Sequence, residues 1–344
     1  MVAPLTPLPA EAYVPVLKAK QGELLAIQTT PPDMFVPLLE TADSAKVAHV
    51  SRAWPHKDHV IWVHPLNVNA VDDSVWLNEV ESIFARLHND GRQAVPVVTT
   101  SESAGVYGAV RQAVLRDSRG IVIRIDCEDA LEGSAALLSA ELSDVRSECS
   151  VDADECDLVI DAGMVSGGPA VQSSVVGSVL DLLPDLHQWR SIVVAFSAFP
   201  EAVGKLVAPN SVGSIPRTDA SSFAHLTSHW TKRILSFADY GVGVPVYADT
   251  PWAPIPNIRY ALPSEWRVFR AHTKRDPSPQ YIALARDLAA QSYFDGTGAS
   301  AGDDYIQAVA NGADGPGNAG SYLKAAMSRH FYVVLSSLAT RGVP

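Results

Sequence analysis

Glu40, Asp126, Asp161 and Asp239 each close a short apolar, β-rich run, and Glu128 lies two residues beyond Asp126. In α/β enzymes the C-terminal ends of the strands converge on one rim, so carboxylates far apart in sequence meet there. Clustered carboxylates repel unless cations or protons intervene. Asp126, Asp161 and Asp239 are therefore candidate ligands for Mg²⁺ or Mn²⁺, a set suited to metal-assisted hydrolysis or phosphoryl transfer. With Glu128, and with His64 at the end of another run, the same three are the candidate acid–base groups. The competing reading is structural: the acids cap the helices that follow or pair with Arg124. Glu128-Asp-Ala and Asp161-Ala-Gly both fit capping.

Cations could supply the other half of a site. Lys18 and Lys20 are two residues apart at the tip of the first run, with Glu23 just after. With Arg217, Arg270 and Lys274 they form a candidate pocket for an anion such as phosphate or carboxylate. Glu23, Glu40 and Tyr240 join them as candidate ligand-binding groups, and a solvated loop of paired Lys and Glu is the alternative. Thr99-Thr-Ser-Glu-Ser103 either presents hydroxyls or caps a helix. His225 and His229 stand four apart but lack the Glu of H-E-x-x-H. Ser166-Gly-Gly-Pro169 is a Gly-rich turn without the P-loop lysine, and no G-x-S-x-G elbow is present.

Eight apolar runs must position these groups: 13–17, 35–40, 60–64, 94–99, 120–126, 157–161, 191–196 and 234–239. Most are followed by helical or loop segments. One helix, 73–88, has Val75, Val80, Ile83, Phe84 and Leu87 as an apolar stripe. Eight such units predict a (β/α)8 barrel over 13–245, behind a Pro-rich leader (1–12). An open doubly wound sheet is the alternative. Pro15, Pro37 and Pro96 interrupt three runs and argue for bulges or against central strands. In the fifth run, alternation puts Ile121, Ile123 and Ile125 on one face and Arg124, Asp126 and Glu128 on the other. From 246 to 344 the rhythm changes to two short strands (257–260 and 266–270) and helices around 281–293 and 322–338, an extension packed on the barrel.

Composition narrows the class. The 344 residues are 47% hydrophobic and 19% charged, ordinary for a globular chain with a large core. A formal net charge of -12 disfavours generic attraction to nucleic acid or anionic membrane. Three cysteines without a C-x-x-C pair suggest neither a disulfide framework nor a zinc knuckle, and fit a reducing cytoplasm. The leader lacks the features of a signal peptide, and no apolar run is long enough to span a membrane.

The run Tyr13-Val-Pro-Val-Leu-Lys-Ala-Lys-Gln-Gly-Glu23 resembles the opening of the beta family proteins of bacteria and phages, which has the form Y-x-P-x-L-K-x-K-x-G-E. Phe35-Val-Pro-Leu-Leu-Glu40, Pro216-Arg217, Asp239-Tyr-Gly241, Ile258-Arg-Tyr260, Gly302-Asp303, Gly317-Asn318 and His330 resemble later family segments in order. Two positions depart: Arg270 is followed by Ala271 where the family has glycine, and Arg329-His330 stands where it has a histidine pair. The resemblance implies a barrel-like α/β fold and a setting near phage–host conflict, but no particular reaction. Two functions are consistent with these readings. One is an enzyme acting on a phosphorylated or nucleotide-like small molecule. The other is a non-catalytic barrel that recognises a phage component or partner protein.

Overall fold

A computed structural model describes residues 5–164, 167–247 and 254–344. The first four leader residues, Ser166 and positions 248–253 of the extension lie outside the described residues. In chain order the strands are β1 (Tyr13–Lys18), β2 (Leu38–Thr41), β3 (Val60–Pro65), β4 (Gln93–Val98), β5 (Ile121–Asp126), β6 (Cys156–Met164), β7 (Ser191–Ser197), β8 (Ser211–Pro216), β9 (Ser236–Asp239), β10 (Asn257–Ala261) and β11 (Glu265–Arg270). The helices are α1 (Gln21–Ile27), α2 (Val47–Ala53), α3 (Asp73–Asn89), α4 (Ala104–Asp117), α5 (Cys127–Glu132), α6 (Ala135–Cys149), α7 (Pro169–Leu182), α8 (Thr218–His229), α9 (Pro277–Ala289), α10 (Ala301–Asn311) and α11 (Ala319–Arg341).

Strands β1 to β7 and β9 form a closed, all-parallel barrel, with β9 returning to pair with β1. This is the (β/α)8 architecture; closure removes the open-sheet alternative. Side-chain alternation divides each strand between two cores. Val14, Val16, Leu38, Trp62, Val95, Val97, Val122, Val159, Val193 and Ala238 form one cluster. All eight strands can meet only inside the barrel, so this cluster is its interior. Tyr13, Leu17, Leu39, Ile61, Ile121, Ile123, Ile125, Leu158, Ile192 and Phe237 face the surrounding helices instead. Each such fully buried aliphatic side chain contributes about 1.5–3 kcal/mol.

Several elements differ from the sequence expectation. The run at Phe35 enters strand pairing only at Leu38, after Phe35 makes a single bridge to Tyr13. Between β5 and β6 the chain forms two helices rather than one, because it breaks at Gly133 and restarts with the Ser134 hydroxyl accepting from the Leu137 amide. In α3 the buried stripe uses Trp76, not Val75, which is 48% exposed. Residues 76, 80, 83, 84 and 87 fall on one helical face, whereas 75 is a full 100° away. Pro15 and Pro96 sit inside regular strands without a bulge. Gly120 opens β5 at φ +67°, and a Cβ there would lie 1.8 Å from the Glu155 carbonyl oxygen.

The extension builds a three-stranded antiparallel sheet, β10-β11-β8, that recruits β8 from between β7 and α8. Its helices are tied to it by Arg329. That guanidinium donates to the Ala261 carbonyl (3.1 Å), to Asp295 (2.6 Å) and to Asp303 (3.3 Å), while the Tyr260 hydroxyl donates to Asp303 (2.8 Å). At the opposite end of the barrel the Leu8 amide donates to the Ser191 hydroxyl, and Ser236 donates to the Pro9 carbonyl. No helix among the described residues is long and apolar enough to cross a membrane.

Candidate active site at the barrel mouth

The strands deliver their last inward-facing side chains to one ring above the inner core. Lys18 stands beside Glu40 and Glu40 beside His64 in the registers of β1, β2 and β3. Arg124 comes from β5, Asp161 from β6, and Tyr240 follows β9. Arg124 is the hub. Its guanidinium donates to Glu40 Oε1 (2.8 Å), to Asp161 Oδ2 (2.8 Å from Nε) and to the Tyr240 hydroxyl (2.6 Å). Tyr240 in turn donates to Asp161. Burial alone would weaken the guanidinium's charge, but Tyr240, Asp161 and Glu40 hold Arg124 well above the ordinary arginine range. Burial, joined by Asp161, pushes the Tyr240 hydroxyl well up.

His64 is 3% exposed, and its Nδ1 lies 3.1 Å from Arg124 Nη1. A guanidinium only donates, so Nδ1 carries the lone pair and Nε2 carries the proton. Burial and then Arg124 push the imidazole well below its ordinary range, which keeps it neutral. Among the described residues its Nε2–H has no hydrogen-bond partner. His64 lines a cavity of about 430 Å³ with Thr99, Ser101, Arg124, Asp126, Asp129, Glu141 and Asp161. Four carboxylates face one guanidinium there, so this side of the mouth is acidic.

The β1 side is basic. Lys18 Nζ donates to the Val244 carbonyl (2.6 Å); burial pushes its amine down while Glu40 and Glu23 pull it back up. Lys20 Nζ lies 4.8 Å from the centre of the Tyr247 ring. Arg259, from β10, donates to the Val242 carbonyl (2.8 Å), and burial lowers it to about 10. Glu23 is buried next to these cations, and its Oε2 has no hydrogen-bond partner among the described residues. Burial pushes its carboxyl up, and Lys18, Lys20 and Arg259 offset only part of that.

Asp239 does not join this ring. It points outward, on the same face as Phe237, and is buried between the barrel and the extension. Asp239 Oδ1 accepts from the Tyr13 hydroxyl (2.6 Å) and the Gly241 amide (2.8 Å), and His330 Nε2 lies 2.7 Å from Oδ2. Trp266 Nε1 donates to His330 Nδ1 (3.2 Å), which puts the imidazole proton on Nε2, aimed at Asp239. Arg217 is held in the same network by Asp219 (2.7 Å), with Asp239 at 3.6 Å. Asp219, Asp239 and His330 are close enough together to bind an ion, but Arg217 already supplies the positive charge.

The expected metal set of Asp126, Asp161 and Asp239 is therefore not assembled. Asp126 and Asp161 are register partners that line the cavity, while Asp239 is on the other side of the barrel wall. Asp126 Oδ1 caps α5 by accepting from the Glu128 and Asp129 amides, and Glu128 is exposed in the first turn of that helix. Arg217 belongs to the outward network. Arg270 donates to the Val207 carbonyl, away from the ring, and Lys274 is on an exposed loop. Lys18, Glu23, Glu40, His64, Asp161 and Tyr240 do converge on the mouth, and Lys20 sits at its edge. Arg124 and Arg259 complete the site. Arg124's signal was a charge set inside an apolar strand run; Arg259's was its place in the Ile258-Arg-Tyr260 segment that carries the family resemblance.

The sequence model of the family described as Beta protein matches residues 13–336, nearly the whole chain. The chain belongs to the Beta protein family. In this family member, the segments that carry the resemblance contribute Lys18, Glu23, Glu40, Tyr240 and Arg259 to the mouth, Tyr13, Arg217, Asp239 and His330 to the outward network, and Asp303 and Asn318 to the extension. Comparison with curated proteins finds no match. Among solved structures, triosephosphate isomerase from Bartonella henselae is similar, with 13% identity over 67% of this chain and 92% of that one, at a TM-score of 0.35.

Proposed function

We propose that the Beta protein barrel is an enzyme whose active site is the mouth, acting on a phosphorylated or nucleotide-like small molecule. The observation that carries this reading is His64: buried, neutral, fixed by Arg124, and with an unpartnered Nε2–H on the wall of a cavity. A buried donor without a partner costs about 1–3 kcal/mol, and a ligand oxygen accepting from it recovers that cost. A neutral imidazole in that position can polarise a carbonyl or phosphoryl oxygen, or give a proton to a leaving oxygen.

The charge pattern supports the substrate class. Lys18, Lys20 and Arg259 on one side suit an anionic group, and the carboxylates of Asp126, Asp129 and Glu141 on the other accept hydrogen bonds from hydroxyls or amino groups. A phosphorylated nucleoside carries both. For Mg²⁺ or Mn²⁺, the donor set divides. Both Asp161 oxygens already accept, from Gly163 and from Arg124 and Tyr240. Asp126, Asp129 and Glu141 are the oxygen donors a hard cation would use.

The test is calorimetry and thermal shift with nucleoside mono- and diphosphates, with and without Mg²⁺ or Mn²⁺, on wild type and His64→Gln. A ligand at 100 times its Kd adds about 2.7 kcal/mol to stability. Binding by wild type that weakens at least tenfold in the variant is expected. A flat wild-type screen, or equal binding by both proteins, rejects the reading and favours recognition of a partner protein.

A further inference from the structure

Helices α1 and α2 follow the ends of β1 and β2, so both run down the outside of the barrel from the rim of the mouth. A groove of about 590 Å³ lies along them. Lys20, Lys46, His49 and Arg52 line it, and among the described residues no carboxylate does. In a chain of net charge -12, this is a local reversal of sign.

Helical spacing builds the groove. Lys46 immediately precedes α2, and His49 and Arg52 follow at intervals of three, so the three share one face. His49 and Arg52 are exposed and Lys46 is half-buried. Lys46 has a carboxylate neighbour in Asp43 at 3.7 Å, but both side chains are open to solvent, so the pair is weak. The other wall comes from α1, where Gln21, Leu25 and Gln28 stand at i, i+4 and i+7 and are exposed. It offers amides and an apolar side chain.

The groove is continuous with the mouth. Lys20 lines the groove and also lies over the Tyr247 ring at the mouth's edge. Lys46 Nζ donates to the Tyr247 hydroxyl (3.5 Å). From Lys46 to Arg52 the basic wall descends about 9 Å along the helix axis. The volume is that of a small-molecule site, which suits one further nucleotide and not a long strand.

We infer that the groove is a second subsite for the ligand of the mouth, and that this ligand is a dinucleotide. Its second phosphate lies on Lys46 and Arg52, whose side chains form charge-assisted hydrogen bonds to phosphate oxygens. Its second nucleoside lies against Leu25, with the Gln21 and Gln28 amides giving and accepting hydrogen bonds to base and sugar. Placement of the first nucleotide rests on the proposed function; the groove's own cations and amides carry the second.

The experiment is calorimetric titration of the full chain with AMP and with the 5′-phosphorylated adenylyl-adenosine dinucleotide, on wild type, Lys46→Gln/Arg52→Gln and His64→Gln. Neither Lys46 nor Arg52 is buried, and circular dichroism checks that the double variant is folded. Wild type is expected to bind the dinucleotide roughly tenfold or more tighter than AMP, because the second half binds as a linked group. The double variant is expected to lose that advantage and to keep the wild-type affinity for AMP. Equal affinity of wild type for the two ligands, an advantage that survives in the double variant, or binding of neither ligand by wild type overturns the inference. If AMP binding is indifferent to His64→Gln while the dinucleotide advantage still depends on Lys46 and Arg52, the reading of the mouth falls and the groove subsite stands.

Discussion

Asp239 and Tyr240 are neighbours in the chain and face opposite sides of the barrel wall. Tyr240 turns inward and joins Arg124 and Asp161 at the mouth. Asp239 turns outward and joins Tyr13 and His330 under the extension. One peptide thus connects the candidate active site to the network that docks the extension.

Arg124 balances two buried carboxylates, Glu40 and Asp161. Removing one partner of a buried ion pair costs about 3–5 kcal/mol. Arg124→Met is expected to lose stability in that range at pH 7, read from the urea midpoint. A loss below about 1 kcal/mol, the worth of an exposed ion pair, would mean that packing, not charge, holds the hub in place.

Glu23 gives a pH dependence of the opposite kind to a paired acid. Burial raises its folded-state pKa above the ordinary carboxyl value. Its contribution is then fully present below the unfolded value of about 4.3 and is lost as pH rises through the raised folded value. Glu23→Gln should abolish that decline and be the more stable protein at pH 7. Parallel stability–pH curves for the two proteins would refute the assignment.

For Asp239, burial acts to raise the carboxyl, but His330, Arg217 and the Tyr13 hydroxyl outweigh it and lower its pKa overall. Stability from this group is present above the unfolded value of about 3.9 and is lost as pH falls through the depressed folded value. Asp239→Asn should be about 3 kcal/mol less stable at neutral pH, with a flatter acid limb in chemical denaturation. An unchanged acid limb would contradict it.

Gly302 lets α10 approach α11. A Cβ there would lie 2.1 Å from the Ala325 carbonyl oxygen, and the next residue, Asp303, binds Tyr260 and Arg329. Gly302→Ala is predicted to cost at least the ~1–3 kcal/mol of ordinary overpacking, visible as a lower melting temperature. A neutral substitution would show that the two helices can separate freely.

The barrel was legible because each of its eight strands is an apolar run, and closure needs little more than their number and the intervening helices. What the runs could not reveal is which face of each strand turns inward, since a barrel strand is apolar on both sides. Asp161 and Asp239 both read as strand-end acids; only the registers of β6 and β9 separate them. Ser211–Pro216 went unseen for a different reason. It is a polar edge strand whose pairing partner is more than forty residues away, so no local pattern announces it. Arg259 reaches the mouth through that same sheet.

The most direct measurement is a crystal structure of the protein soaked with a nucleoside monophosphate or diphosphate. The account predicts density in the mouth, with a ligand oxygen within hydrogen-bond distance of His64 Nε2 and the phosphate toward Lys18 and Arg259. Ligand density found only elsewhere on the molecule, with the His64 cavity empty at saturating concentration, would contradict it.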